Sequence, residues 1–256
     1  MEEAAVHSEH ETSLWPLFVG ISVLLTALAL LAYFPWQMQT LGLILGGLML
    51  AALAIGIAGW AREFFTHGVE EGLGPIAVAA FIVSEVMIFG TVFAAFWVAR
   101  FENFAGWEAF IPGGLDASFA IWLTLILWAS SLTIIFSEKA FAKGNRQGAL
   151  IWLIATFGLG LLFVVLHMME WGHLMEEGFT PGLNIFSTSF YGLTGVHTSH
   201  VIVGLAIHLV LFYLLVSGTM ASNRTTLYKG AALYWHFVDI MWLLVASNAY
   251  LIGGTF

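Results

Sequence analysis

Glu85 is the first residue to demand a chemical explanation, because it sits inside the apolar stretch FIVSEVMIFG. An ionisable group near the centre of a bilayer costs about 2.5–3.5 kcal/mol on insertion scales, so such a group is a functional hypothesis by default. With successive residues turned by about 100°, Phe81, Glu85, Ile88, Phe89, Val92 and Phe96 share one helix face, which sets the carboxyl in an aromatic stripe. Two roles follow. The carboxyl is either proton-linked or lipid-facing, or it is a protonated side chain hydrogen-bonded to a neighbouring helix, and the first role is the preferred reading.

A second polar group lies in FYGLTGVHTSHVIVGLAIHLVLFY, where His197, His200, Gly204 and His208 fall within about 80° on a helical wheel. Three imidazoles on one face have the chemistry of metal ligands, yet HxxH alone specifies no metal and the HExxH pattern of zinc hydrolases is absent. The His boxes of a di-iron desaturase are missing too. The reading adopted is a structural polar seam formed by His197, His208 and Asp239, with no catalytic residue and no metal or other cofactor held by the chain.

YWHFVDIMWLL places His236 three residues before Asp239, a spacing at which imidazole and carboxylate can hydrogen-bond on one helix face. Because that stretch starts near Lys229, both are expected in the first turns below the membrane surface, where anchoring and proton transfer are equally open. Trp60 and Arg62 pair an indole with a guanidinium, which suits a phospholipid head group, although snorkelling alone would also explain them. His167 and Glu170, followed by Trp171, read as interfacial groups whose solvation explains them.

The elements that must hold these groups follow from composition. The 256 residues are 60% hydrophobic and 9% charged, far too few charges to solvate a globular surface of this size, so the chain belongs in a bilayer. Sixteen acidic residues against seven basic ones, a net charge of −9 and no basic run exclude nucleic acid as a partner. Without cysteine there is no disulfide or thiolate chemistry. Apolar runs long enough for a hydrocarbon core of about 30 Å predict seven transmembrane helices, at 14–34, 38–60, 75–99, 118–137, 148–170, 190–217 and 230–253. The fold class is therefore all-α, a polytopic membrane protein with a single membrane domain over 1–256. Residues 1–13, which carry four Glu and no Lys or Arg, read as a solvated tail, helices one and two fill 14–60, and helices three to seven fill 75–253. Pro35–Trp36–Gln37 leaves room only for a tight hairpin between the first two. Gly42 and Gly46 form a GxxxG with Gly47 beside it, read as ordinary close packing.

Orientation comes from the basic residues. Arg62, Lys139, Lys143, Arg146, Arg224 and Lys229 fall on the side of the N-terminus and Arg100 alone on the other, which predicts the N-terminus in the cytoplasm and the C-terminus outside.

In order along the chain, SLWPL, the WARE after the second span, IVSEVMIF around Glu85, the GNR of 144–146, TGVHTSHVIVG and YWHFVDIMWLL resemble the landmarks of subunit III of the haem–copper cytochrome c oxidases. The resemblance covers nearly the whole chain. It implies a non-catalytic subunit of a proton-pumping terminal oxidase in aerobic respiration, packed against subunit I and subunit II, which carry the haem and copper. It further implies a two-helix hairpin and a five-helix bundle with a phospholipid-filled cleft between them. Glu85 would lie in that cleft, and Trp60, Arg62, His200, Arg224 and His236 would be lipid contacts. The implied roles are structural lipid binding, support of proton uptake and protection of the catalytic subunit; an oxygen route through the lipid has been proposed for the family. His167 and Glu170–Trp171 depart from the family's pattern at the end of helix five, as does GLNIFSTSFYG after it. The short 100–117 connection suggests a bacterial oxidase, and hence an inner (plasma) membrane. Alternatives are subunit III of a quinol oxidase or nitric oxide reductase, which commonly have fewer helices, and a proton-coupled transporter, which should show repeated halves that the sequence lacks.

Overall fold

The computed structural model describes residues 14–33, 36–67, 74–113, 115–218, 220 and 225–252. Their helices are α1 (Trp15–Tyr33), α2 (Gln39–His67), α3 (Gly74–Glu102), α4 (Ala117–Ala142), α5 (Arg146–Glu176), α6 (Ile185–Ser217) and α7 (Thr225–Ala246). A 3-10 helix occupies Phe104–Phe110, and α7 continues as a π-helical turn over Ser247–Ile252. Among the described residues six stretches are long and apolar enough to cross a membrane, namely Gln39–Gly59, Val78–Glu102, Ala117–Ala142, Arg146–Glu176, Ile185–Ser217 and Leu227–Leu251, whereas Leu17–Tyr33 is a shorter apolar helix.

The chain divides into two compact units, Met1–Glu70 and Glu71–Phe256. In the first, α1 and α2 lie side by side and antiparallel. Tyr33 near the end of α1 abuts Gly42 near the start of α2, while Phe18 and Val19 abut Gly56, and Trp15 abuts Gly59. A methyl group at Gly42 would come within 2.8 Å of the Tyr33 Cβ, so the absence of a side chain permits the approach. Gly46 and Gly47 have nothing comparably close, and the close packing is carried by Gly42 with Gly56 and Gly59 instead of by the GxxxG pair.

In the second unit the helix ends are set by local chemistry. Asp116 caps α4 by accepting from the Ser118 amide at 2.8 Å and the Ser118 hydroxyl at 2.6 Å. These two hydrogen bonds hold its carboxyl below the ordinary value of 3.8. The GNR of the sequence is the corner between α4 and α5: Gly144 adopts the left-handed φ of 74°, Asn145 caps α5 through the Gly148 amide, and Arg146 Nε donates to the Leu215 carbonyl at the end of α6. Asn184 and Ser187 form a capping box that starts α6 five residues before the expected 190, and α7 likewise starts at 225, ahead of 230. α5 runs on to Glu176, past the expected 170. Hydropathy marks only the apolar middle of a helix, and the polar turns beyond it remain helical.

The interior of this unit is aromatic. Trp235 of α7 is slotted between two glycines: a Cβ on Gly160 of α5 would lie 2.7 Å from the indole, and one on Gly204 of α6 would lie 2.6 Å from it. Trp242 packs edge-on against Phe163 at 4.8 Å and donates to Thr124 Oγ1 at 3.0 Å. Ser137 of α4 links the Tyr228 hydroxyl at 2.5 Å to the Ala149 carbonyl at 2.6 Å, which ties α4, α5 and α7 together.

Candidate functional site

α3 and α6 bring Glu85 and His200 together. The Glu85 Oε2 and the His200 Nε2 are 2.7 Å apart, and the two side chains are only 13% and 12% exposed. The other ring nitrogen of His200, Nδ1, stands 2.7 Å from the carbonyl of Val196, one turn back on α6. A carbonyl can only accept, so Nδ1 carries a hydrogen and the proton between Nε2 and Oε2 belongs to the pair. The pair is a neutral imidazole with a carboxylic acid, or an imidazolium with a carboxylate; either way it holds one proton there and has no net charge. Phe89 lies 4.8 Å from the imidazole and Phe237 6.4 Å from it, while the Tyr234 hydroxyl donates to the His200 backbone carbonyl at 3.3 Å. This apolar wall excludes water from one side of the pair. The expected aromatic stripe is present in part: Phe89 and Phe96 are buried, but Phe81 and Ile88 are about half exposed.

A second polar cluster joins α7 to α4. Ser131 donates to Asp239 Oδ2 at 2.7 Å and lies 3.2 Å from His236 Nδ1, so a serine bridges the imidazole and carboxyl that were expected to bond each other directly. Asp239 is buried and its Oδ1 has no hydrogen-bond partner among the described residues. The preceding Ser130 accepts from the Trp235 indole at 2.9 Å. α7 begins at Thr225, which puts His236 about 16 Å and Asp239 about 21 Å along the helix. Neither serine was singled out by the sequence; their only signal is the adjacent polar pair in WASSL, near the middle of the fourth apolar run.

The three imidazoles of α6 go to different partners. His197 Nε2 donates to the Val238 carbonyl at 3.1 Å, His200 meets Glu85, and His208 packs at a tilt against Trp235 at 4.5 Å with neither ring nitrogen hydrogen-bonded among the described residues. Among the described residues no three His, Asp or Glu side chains gather into a metal-holding group. His167 and Glu170, expected to be solvated, are instead enclosed. His167 is fully buried, and the Tyr250 hydroxyl, carried in by the π-helical turn after α7, donates to Glu170 at 2.6 Å. His167 Nδ1 stands 3.3 Å from Glu170 without hydrogen-bond geometry. Trp171 packs on Tyr191 at 5.1 Å with its indole nitrogen buried, and so is a packing residue more than a belt residue. Arg62 is exposed on α2, in the first unit, where Trp60 also belongs to α2. The Trp60 side chain and the whole of Arg224 lie outside the described residues, as does the 1–13 tail.

The sequence family described as cytochrome c oxidase subunit III matches residues 7–254. The chain belongs to that family. Its relatives include proteins named cytochrome c oxidase subunit 3 from Mycosarcoma maydis, 29% identical over 92% of this chain and 90% of theirs, and from Anopheles gambiae, 31% identical over 98% of each. A relative named cytochrome bo(3) ubiquinol oxidase subunit 3, from Pseudomonas aeruginosa, is 32% identical over 68% of this chain and 82% of its own length. Three of the six segments that carried the resemblance to subunit III meet in the fold: Glu85 from IVSEVMIF against His200 from TGVHTSHVIVG, with Tyr234 and Phe237 of YWHFVDIMWLL closing over them.

Proposed function

We propose that the chain is the non-catalytic third subunit of a proton-pumping, haem–copper terminal oxidase that takes its electrons from cytochrome c. The observation that carries this reading is coverage. Relatives named for cytochrome c oxidase align over 92–98% of the chain, whereas two named for a ubiquinol oxidase align over 68%. In this reading α1 is a seventh membrane-crossing helix, paired with α2 as a hairpin beside the bundle of α3 to α7, and phospholipid fills the cleft between. The haem and copper belong to partner subunits I and II. The N-terminus lies in the cytoplasm and the C-terminus outside, in a bacterial inner membrane.

The Glu85–His200 pair is the working centre of the subunit. A neutral, proton-holding pair with an aromatic wall on one side and a limited opening on the other suits the polar end of a lipid. It also suits a proton store that changes hands without placing net charge in the membrane. Arg62, Trp60, Arg224 and His236 are the proposed companions in lipid contact. The experiment is purification of the oxidase with Glu85→Ala in this chain. Haem spectra and the initial rate of oxygen uptake with cytochrome c should be retained, while bound phospholipid or the number of turnovers before inactivation falls. Loss of haem, or full retention of both lipid and turnover lifetime, refutes the assignment. Oxygen uptake driven by quinol and not by cytochrome c would establish the second reading, a ubiquinol oxidase, which the Pseudomonas relative favours.

A further inference from the structure

Arg100 ends α3 about 22 Å along the helix from Glu85, and it is the one basic residue on its side of the predicted topology. It is only 7% exposed. Its guanidinium lies 5.8 Å from the ring centres of both Trp97 and Trp107. Trp107 is itself fixed, edge-on to Phe96 at 5.8 Å and to Phe186 at 5.4 Å, so the 3-10 helix that carries it is braced against α3 and α6. Asn184, the cap of α6, donates to the Phe110 carbonyl and secures the far end of the same segment. Arginine in the last turn of a helix is favoured by the helix dipole, and two indoles add cation–π attraction. Those effects account for the arginine but not for the space beside it. A cavity of about 470 Å³ opens between Arg100, Phe104, Trp107 and Glu108, within the size range of small-ligand sites.

The cavity has one cation and one anion on its walls, and it opens at the end of the apolar stretch Val78–Glu102. Of its lining residues Phe104 presents apolar surface, at 71% exposure. We infer that this cavity binds the head group of a zwitterionic phospholipid that bears a primary ammonium. The phosphate lies on Arg100, the ammonium lies on Glu108, and the acyl chains leave past Phe104. A guanidinium is the side chain best matched to phosphate oxygens. Glu108 opposes a purely anionic head group and favours one that carries its own cation, and an interfacial Trp pair is the usual frame for such a contact. The site is independent of the Glu85 pair, on a different helix end and with different residues.

The test uses the assembled oxidase in vesicles of mixed phosphatidylethanolamine and phosphatidylglycerol, each lipid in turn carrying a photoactivatable group in its acyl chain, with cross-links mapped by peptide. Phosphatidylethanolamine should label the 93–110 segment about tenfold more than phosphatidylglycerol does, and Arg100→Gln should cut that labelling about tenfold. Glu108→Gln removes an exposed side chain that folding does not need. It should bring the two lipids to parity by lowering ethanolamine labelling alone, which keeps the test decisive if Arg100→Gln does not assemble. Glu85→Ala should leave the labelling of this segment unchanged. Equal labelling by both lipids in the unmodified chain, or labelling indifferent to both substitutions, overturns the proposal. Displacement of the lipid by water-soluble phosphoethanolamine at equal concentration overturns the lipid as the source and assigns the cavity to a free phosphate ester.

Discussion

Removing one partner of the Glu85–His200 pair should cost more than removing both. Among the described residues His200 supplies the hydrogen bond to the Glu85 carboxyl, at 2.7 Å and with each side chain nearly nine-tenths buried. His200→Leu leaves that carboxyl unsatisfied in an apolar wall, a loss of about 1–3 kcal/mol. Glu85→Leu leaves His200 Nε2 in the same position, because Nδ1 remains committed to Val196, and should cost a similar amount. With both replaced, no polar group is stranded and two apolar side chains meet beside Phe89 and Phe237, so the double variant should lie close to wild type. The coupling, the sum of the two single losses, is then about 2–6 kcal/mol, well above the few tenths expected of independent sites. Glu85→Gln, whose amide can donate to Nε2, should cost less than about 1.5 kcal/mol. The assay is detergent-driven unfolding in mixed micelles for wild type and all four variants. It is read beside the carboxyl and carboxylate stretches in the infrared, of which the Glu85 contribution should vanish with Glu85→Leu and move with His200→Leu. If the two single losses simply add in the double variant, the pair is not a unit and the shared-proton argument fails.

Ser131→Ala should strand Asp239 with both oxygens unpartnered and release His236, costing about 1–3 kcal/mol, and Ser131→Thr should restore most of it; equal stability of Ser131→Ala and wild type would refute the bridge. Gly204→Ala should overpack Trp235 by about 1–3 kcal/mol and shift its fluorescence, while Gly192→Ala, where a Cβ meets nothing within 4 Å, should do neither. Asp116 holds the first turn of α4 through a carboxyl whose pKa is depressed below 3.8, so its contribution is complete above that value and is lost as pH falls through the depressed one. Hydrogen exchange at Ser118 should therefore accelerate in strong acid in wild type and already be fast near neutrality in Asp116→Ala; a pH-independent difference between the two would contradict this.

The sequence made Glu85 visible and left its partner open. A carboxyl in an apolar run is anomalous by composition alone, whereas the choice of His200 over His197 or His208 depends on how α3 and α6 are rotated about their axes, and those residues are 115 positions apart. The seven expected spans correspond to six long helices and the shorter α1, and in the second unit the errors lie at the ends, where capping chemistry at Asn184 extends the helix beyond its apolar part. Those errors propagated into function. Ending the fifth span near 170 made His167 and Glu170 appear solvated when the chain still had a helical turn to run and Tyr250 to fold over them. Ser130 and Ser131 were illegible for another reason. A serine in a membrane helix can satisfy itself on the preceding turn, as Ser130 does on the Leu127 carbonyl, so only the neighbouring helix reveals that it also serves a tryptophan.

One short segment of α7 serves both polar sites, and the reason is its rotation. Tyr234 and Phe237 face His200 and Phe89, while Trp235, His236 and Asp239 turn toward Ser130 and Ser131 of α4. The indole of Trp235 sets that rotation, since Gly160 and Gly204 leave a slot that no larger residue permits and Ser130 fixes the ring nitrogen. A change at the slot must therefore be felt on both sides of the helix at once. Turning α7 to relieve a methyl at Gly204 would move Tyr234 off the His200 carbonyl and His236 off Ser131 together, which is why two small glycines, chemically silent themselves, belong to the same machinery as the carboxyl at position 85.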